Sequence, residues 1–144
     1  GLQVLGHTFR AHGEEAEGVG LLDVTTTPLS RRATGELASE PTRAGVTAEL
    51  SEPLTGFENH MGATVLGPDA SALGRVTRGV GNGDAKVDGV VQGSVIATYM
   101  HGPALARNPQ LADLLIARAL DIPLAELQPL ELDAVTKLRE ERLR

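Results

Sequence analysis

The sequence predicts an α/β domain in which a mixed sheet is flanked by helices, most of them after the strands. Three observations point there. Short apolar, β-branched runs broken by glycine and proline turns fill the first hundred residues. Helical spacing takes over at Leu111, Leu114, Leu115 and Leu120, and again at Leu132, Val135, Leu138 and Leu143. Hydrophobic residues make up 41% of the 144-residue chain but aromatics only 2%, so one core must be built from Val, Leu, Ile and Ala.

Leu2, Leu5 and Phe9 fall at helical spacing and predict a helix already under way at the start of the chain. Val19-Gly-Leu-Leu22 marks a buried strand or loop. Ser30 to Thr34 opens a polar segment that ends near Pro41. Val46, Ala48 and Leu50 alternate with Thr47 and Glu49, predicting a strand with one wet face over 44–50. Residues 54–66 predict a strand or pair of strands around Phe57, His60 and Val65, and 73–80 a short strand. Gly79 to Gly83 is a turn signal, ending in Asn82-Gly83. Residues 87–91 and 94–100 predict two more strands, the second more apolar and central. Asn108 and Pro109 suit the N-cap and first turn of a helix that Pro123 ends, and 131–144 predicts the last helix.

Composition excludes several classes of function. The net charge is −6 and the thirteen Lys and Arg are scattered, which argues against a nucleic-acid partner. No stretch approaches the ~18 apolar residues of a membrane span. With no cysteine, the chain has no disulfide and no thiolate metal site of its own. His7 and His12 are five residues apart, which does not put them on one helix face, and H-E-x-x-H is absent, so no metal site is expected. The glycines from Gly79 to Gly83 lack a P-loop lysine. A cytoplasmic protein is the expectation.

The chemistry-bearing residues are few. The apolar run Ile96 to Met100 stops abruptly at His101-Gly102-Pro103. A histidine where a strand meets a loop is a base with a fixed backbone and a free ring, or a strand-end cap bonded to the backbone. Glu58 and His60 are two apart, so a strand presents both on one face. That pair is a structural ion pair or a carboxylate orienting an imidazole. No G-x-S-x-G elbow accompanies them. Gly1-Leu2-Gln3, at the start of a predicted helix, fits the second half of a nucleophile elbow, whose helix-start N–H groups face an oxyanion.

Three blocks together carry a resemblance. Leu54-Thr-Gly-Phe-Glu-Asn-His60-Met-Gly62, Thr98-Tyr-Met-His101-Gly-Pro103 with Arg107-Asn-Pro-Gln-Leu-Ala-Asp113, and Gly1-Leu-Gln3 with Leu5-Gly6 resemble the C-terminal part of a class I glutamine amidotransferase domain of the cobyric acid synthase type. Within that family they are most similar to the glutamine-hydrolysing subunits of lipid II isoglutaminyl synthase, which work beside a Mur-ligase-like partner. The resemblance covers about residues 1–120, so the whole of 1–144 reads as a partial amidotransferase domain closed by the helix at 131–144. It implies a flavodoxin-like fold and a glutaminase that passes ammonia to the ligase, which amidates the D-glutamate of lipid II. ATP and metal would belong to that partner, and this chain would carry no cofactor.

The resemblance also implies roles. His101 matches the catalytic histidine and Gln3 the elbow glutamine near the substrate. Arg32 matches a glutamine-binding arginine, with Arg31 as the alternative one register away. Two departures stand out. The nucleophilic cysteine would precede Gly1 by two residues, so this chain alone is expected to be inactive. Pro103 stands where many class I enzymes carry the glutamate of His-x-Glu. A Cys-His dyad, a carboxylate lent by the partner, or Glu58 would fill the third role. Two other readings remain open: amidation of a corrinoid carboxylate, and a degenerate module that only binds.

Overall fold

The computed structural model describes residues 1–11 and 13–144. Two long strands, β3 (Val24–Pro41) and β4 (Leu54–Leu66), form its backbone. They pair antiparallel from Val24 opposite Leu66 to Ser39 opposite Leu54. On the other edge of β3, β1 (Thr8–Ala11) pairs parallel at Thr25 and β5 (Gly74–Arg78) pairs antiparallel at Ala38–Pro41. β2 (Glu14–Glu17) and β6 (Val87–Asp88) complete a six-stranded mixed sheet of order β2-β1-β3-β5-β6, with β4 on β3. A separate two-stranded sheet joins β7 (Val90–Gln92) to β8 (Val95–Ala97). The helices are α1 (Leu2–Leu5), α2 (Ala104–Arg107), α3 (Pro109–Leu120) and α4 (Asp133–Leu143). This is the α/β, mixed-sheet class that the sequence predicts. None of these helices is long and apolar enough to cross a membrane.

β4 shows why the strands form. Its even positions from Leu54 to Thr64 are buried, while Phe57, Asn59, Met61 and Val65 are exposed, the two-residue alternation of a half-buried strand. Two apolar clusters hold the layers. One gathers Leu37, Leu50, Leu54, Leu73, Val91, Met100, Leu111 and Leu114 under α3. The other packs Leu2, Leu22, Val24, Val90 and Tyr99 beneath α1.

Several local expectations are corrected. The opening helix stops at Leu5, and Phe9 lies in β1, where it pairs with Ala16. Gly6 is the cause: a Cβ there would overlap the Val24 carbonyl, so the chain turns against β3. Residues 44–50 make no strand; a 3-10 turn spans Gly45–Thr47, closed by the Thr47 hydroxyl donating to the Ala44 carbonyl at 2.7 Å. The polar segment 30–41 is strand, because its backbone is paired to β4 whatever its side chains. The run 94–100 is not central; only Val95–Ala97 is strand, in the two-stranded hairpin. Asn108 sits at the N-cap but spends its side chain on Thr55, accepting from its N–H and donating to its carbonyl, each at 2.8 Å.

The last helix is also turned differently. Its Leu132, Leu138 and Leu143 are exposed, and its buried side chain is Arg139. That guanidinium donates to the carbonyls of Arg107 and Pro53 and to the Glu52 carboxylate. Five fixed donors meeting several acceptors orient this helix more strongly than a sparse leucine stripe.

Candidate active site

A cleft of about 530 Å³ opens between the start of the chain, β3, β4 and the segment before α2. Gln3, Arg32, His60 and His101 all line it, from four separate parts of the sequence. Glu58 does not; it lies deeper, behind His60. It also faces a second cavity, whose walls include Arg32 and Gly79.

The strand end expected at His101 is corrected: β8 stops at Ala97, four residues earlier, and a backbone bridge to β4 holds His101 instead. Its N–H donates to the Phe57 carbonyl at 2.7 Å, an isolated antiparallel bridge to β4. The backbone contact and the free ring therefore coexist. The residue is exposed, and its imidazole takes no hydrogen-bond partner among the described residues. Behind it, the buried Asp88 carboxylate accepts from the Thr98 hydroxyl and, at 3.3 Å, from the Tyr99 N–H. The Thr98 hydroxyl oxygen in turn accepts from the Met100 N–H at 3.0 Å, so the three residues before His101 are tied down. Burial pushes the Asp88 carboxyl up to about 6, against the lowering effect of its hydrogen bonds to Thr98 and Tyr99.

His60 is built differently. Both ring nitrogens are engaged: Nδ1 donates to the Gly62 carbonyl at 3.0 Å, and Nε2 faces Glu58 Oε2 at 3.3 Å. The Glu58 carboxylate also accepts the N–H groups of Val80 at 2.7 Å and Gly81 at 2.9 Å. Those amides arrive by the glycine-rich turn, and Gly79, with φ +97°, leaves no room for a Cβ beside Glu58 Oε1. Burial pushes His60 below the ordinary histidine value, with the Glu58 and Gly62 contacts opposing and the nearby His101 adding to the lowering. His60 therefore has no free nitrogen to offer the cleft; of the two, only His101 can move a proton there.

Arg32 reaches the cleft because β3 is irregular. The register jumps from Pro28 opposite Gly62 to Ala33 opposite His60, so four β3 residues stand opposite Met61 alone. Pro28 has no N–H for the ladder, and a bulge is how a sheet re-aims a side chain. The guanidinium donates to Asn59 Oδ1 at 3.0 Å and has no carboxylate partner among the described residues. Arg31 lines the second cavity and not this one. Arg10 of β1, which no sequence motif marks, is a second guanidinium here, and no Asp or Glu among the described residues lines the cleft. In a chain of net charge −6 this is a cationic recess suited to a carboxylate.

Gln3 is positioned by Tyr99. Its Nε2 donates to the Tyr99 hydroxyl at 3.2 Å, across 96 residues of sequence. Tyr99 bonds the Thr64 hydroxyl at 2.7 Å, and Thr64 bonds that of Thr26 at 2.9 Å. Strand periodicity places Thr26 and Thr64 inward, but nothing local marks their meeting with Tyr99. Elsewhere, His7 pairs with Asp23 at 3.1 Å, and His12 lies outside the described residues.

A family model described as the CobB/CobQ-like glutamine amidotransferase domain matches residues 1–109. The chain belongs to that family. Relatives of this CobB/CobQ-like chain include the lipid II isoglutaminyl synthase (glutamine-hydrolyzing) subunit GatD of Staphylococcus aureus, 33% identical over 99% of this chain and 56% of that protein. The GatD subunit of Streptococcus pneumoniae is 37% identical over 83% of this chain and 45% of its own length. Cobyric acid synthase of Sphingopyxis alaskensis is 40% identical over 72% of this chain and 19% of that protein. The chain thus spans about half the length of the GatD relatives it matches. Among solved structures, a glutamine amidotransferase of Thermotoga maritima is 16% identical, with a TM-score of 0.43 over 85% of this chain and 51% of its own.

Proposed function

We propose that this chain is part of a glutaminase subunit that releases ammonia for a Mur-ligase-like partner, which amidates the D-glutamate of lipid II in peptidoglycan synthesis. The observation that carries the reading is the convergence of His101, Gln3 and Arg32 on one cationic cleft, in a chain that matches GatD along nearly all its length. Since the chain has no cysteine, the nucleophilic thiol would come from outside these residues.

In this reading Arg32 pairs with the α-carboxylate of glutamine through a forked contact, with Arg10 beside it. The thiolate adds to the side-chain amide carbonyl after His101 takes the thiol proton. The C–N bond breaks as His101 returns that proton to the leaving ammonia. Water then adds to the thioester, the C–S bond breaks, and glutamate leaves with the thiol restored. The protein would be cytoplasmic, with ATP and metal held by the ligase. The 40% identity to cobyric acid synthase supports a second reading, in which the same ammonia reaches a corrinoid carboxylate. An ATP-binding synthetase domain on the same polypeptide would favour that one.

The test is glutamate release from glutamine by the full-length protein with its ligase partner. Steady glutaminase activity is expected; a complex that leaves glutamine intact would refute the reading.

A further inference from the structure

The hydroxyls of Thr26, Thr64 and Tyr99 form a chain along the inner side of the cleft. Its hydrogens can be counted. Three hydroxyls bring one hydrogen each, and the two bonds between them use one apiece. Gln3 adds a donor to Tyr99 and takes none of these hydrogens. One O–H hydrogen is therefore unspent, on Tyr99, on Thr26 or on Thr64 between them, and no acceptor among the described residues meets it; Thr64 does not line the cleft, so a bound molecule reaches this hydrogen only at an end. Both ends, Tyr99 at 5% and Thr26 at 4% exposure, are deeply buried and line the cleft.

We propose that Tyr99 delivers this hydrogen to a carbonyl or carboxylate oxygen of the molecule bound in the cleft, making its phenol a substrate-binding group. The choice of end follows from the bonding. When Thr26 donates to Thr64 and Thr64 to Tyr99, the phenol oxygen accepts from both Thr64 and Gln3. Two donors on one oxygen polarise its O–H, and a chain of hydroxyls running one way strengthens the last donor. The ring is held in place by its neighbour. His60 lies flat against it, centroids 3.8 Å apart, and His60 is itself clamped by Glu58 and Gly62. Gln3, two residues from the start of the chain, and His101, two residues after Tyr99, flank the same spot.

This inference rests on the glutaminase reading, with glutamine as the bound molecule. The test compares Tyr99→Phe and Thr26→Val in the full-length protein with its partner, measuring kcat, KM and the melting temperature. Tyr99→Phe keeps the ring on His60, so the protein should fold with a melting temperature lowered only by the lost bonds to Thr64 and Gln3, while kcat/KM for glutamine falls about tenfold. A loss confined to KM would identify the carboxylate oxygen as acceptor; a loss in kcat would identify the amide carbonyl. Thr26→Val should lower kcat/KM by less than Tyr99→Phe does, because Thr64 still donates to Tyr99 and only the reinforcement along the chain is lost. A Tyr99→Phe protein with wild-type kcat/KM overturns the assignment and leaves the glutaminase reading intact. A wild-type protein that does not hydrolyse glutamine overturns both.

Discussion

His60 stacks on Tyr99, ring centroids 3.8 Å apart and ring planes at 16° to each other. The stack joins two halves of the site. On one side it leads through His60 to the buried Glu58 and the turn at Val80 and Gly81. On the other it leads through the phenol to Gln3. Aromatic stacking adds about 0.5–1.5 kcal/mol beyond burial, enough to hold one ring conformation. His60 thus supports the cleft wall, while His101 faces the cleft with its ring free.

The wall leaves no spare volume at Gly62. A methyl group there would come within 2.7 Å of the Tyr99 hydroxyl and 2.8 Å of Thr26 Cγ2, and would overlap the Gln3 amide. Gly62→Ala should therefore push Gln3 out of place. We expect a loss of about tenfold or more in kcat/KM for glutamine and about 1–3 kcal/mol of stability, read by steady-state kinetics and chemical denaturation. Wild-type kinetics would mean that Gln3 need not sit where it does.

Arg32 borders both cavities, and Arg31 only the second, so of the two only Arg32 lines the cleft. Arg32→Ala should raise the KM for glutamine about tenfold to a hundredfold, the value of a charge-assisted hydrogen bond, with kcat little changed. Arg31→Ala should leave KM near wild type. The reverse pattern would put the carboxylate contact on Arg31.

Much of this site can be read from residue order, and the remainder cannot, for physical reasons. The shared face of Glu58 and His60 follows from local alternation, which needs no partner, whereas His101 is held by a bridge to Phe57 and not by the end of its own strand. The reach of Arg32 depends on a bulge between Pro28 and Ala33, and bulges are set by pairing with β4. The contact between Gln3 and Tyr99 spans 96 residues and leaves no local trace. The strand expected over 44–50 does not form because its alternation is equally served by a turn whose Thr47 hydroxyl caps Ala44. The last helix stands where its spacing predicts but rotated, because a buried arginine with several acceptors outweighs exposed leucines.

Asp88 gives the fold a pH signature. Its carboxyl is raised to about 6 from an ordinary value of about 4, first of all by burial. Between these values the unfolded chain has released the proton and the folded one has kept it. Stability from this group therefore falls as pH rises from about 4 to about 6 and is level above. Asp88→Asn, which can still accept from Thr98, removes the effect. The variant should match wild type near pH 4 and gain on it by about 3 kcal/mol by pH 7. Denaturation of both proteins across that range checks this; parallel curves would contradict it.

The central claim is that His101 moves the proton in glutamine hydrolysis. Its most direct test is glutamate release by the His101→Ala protein, full length and assembled with its partner. We expect kcat to fall about a thousandfold, with the melting temperature and glutamine affinity kept. A His101→Ala enzyme with near wild-type turnover would contradict the account.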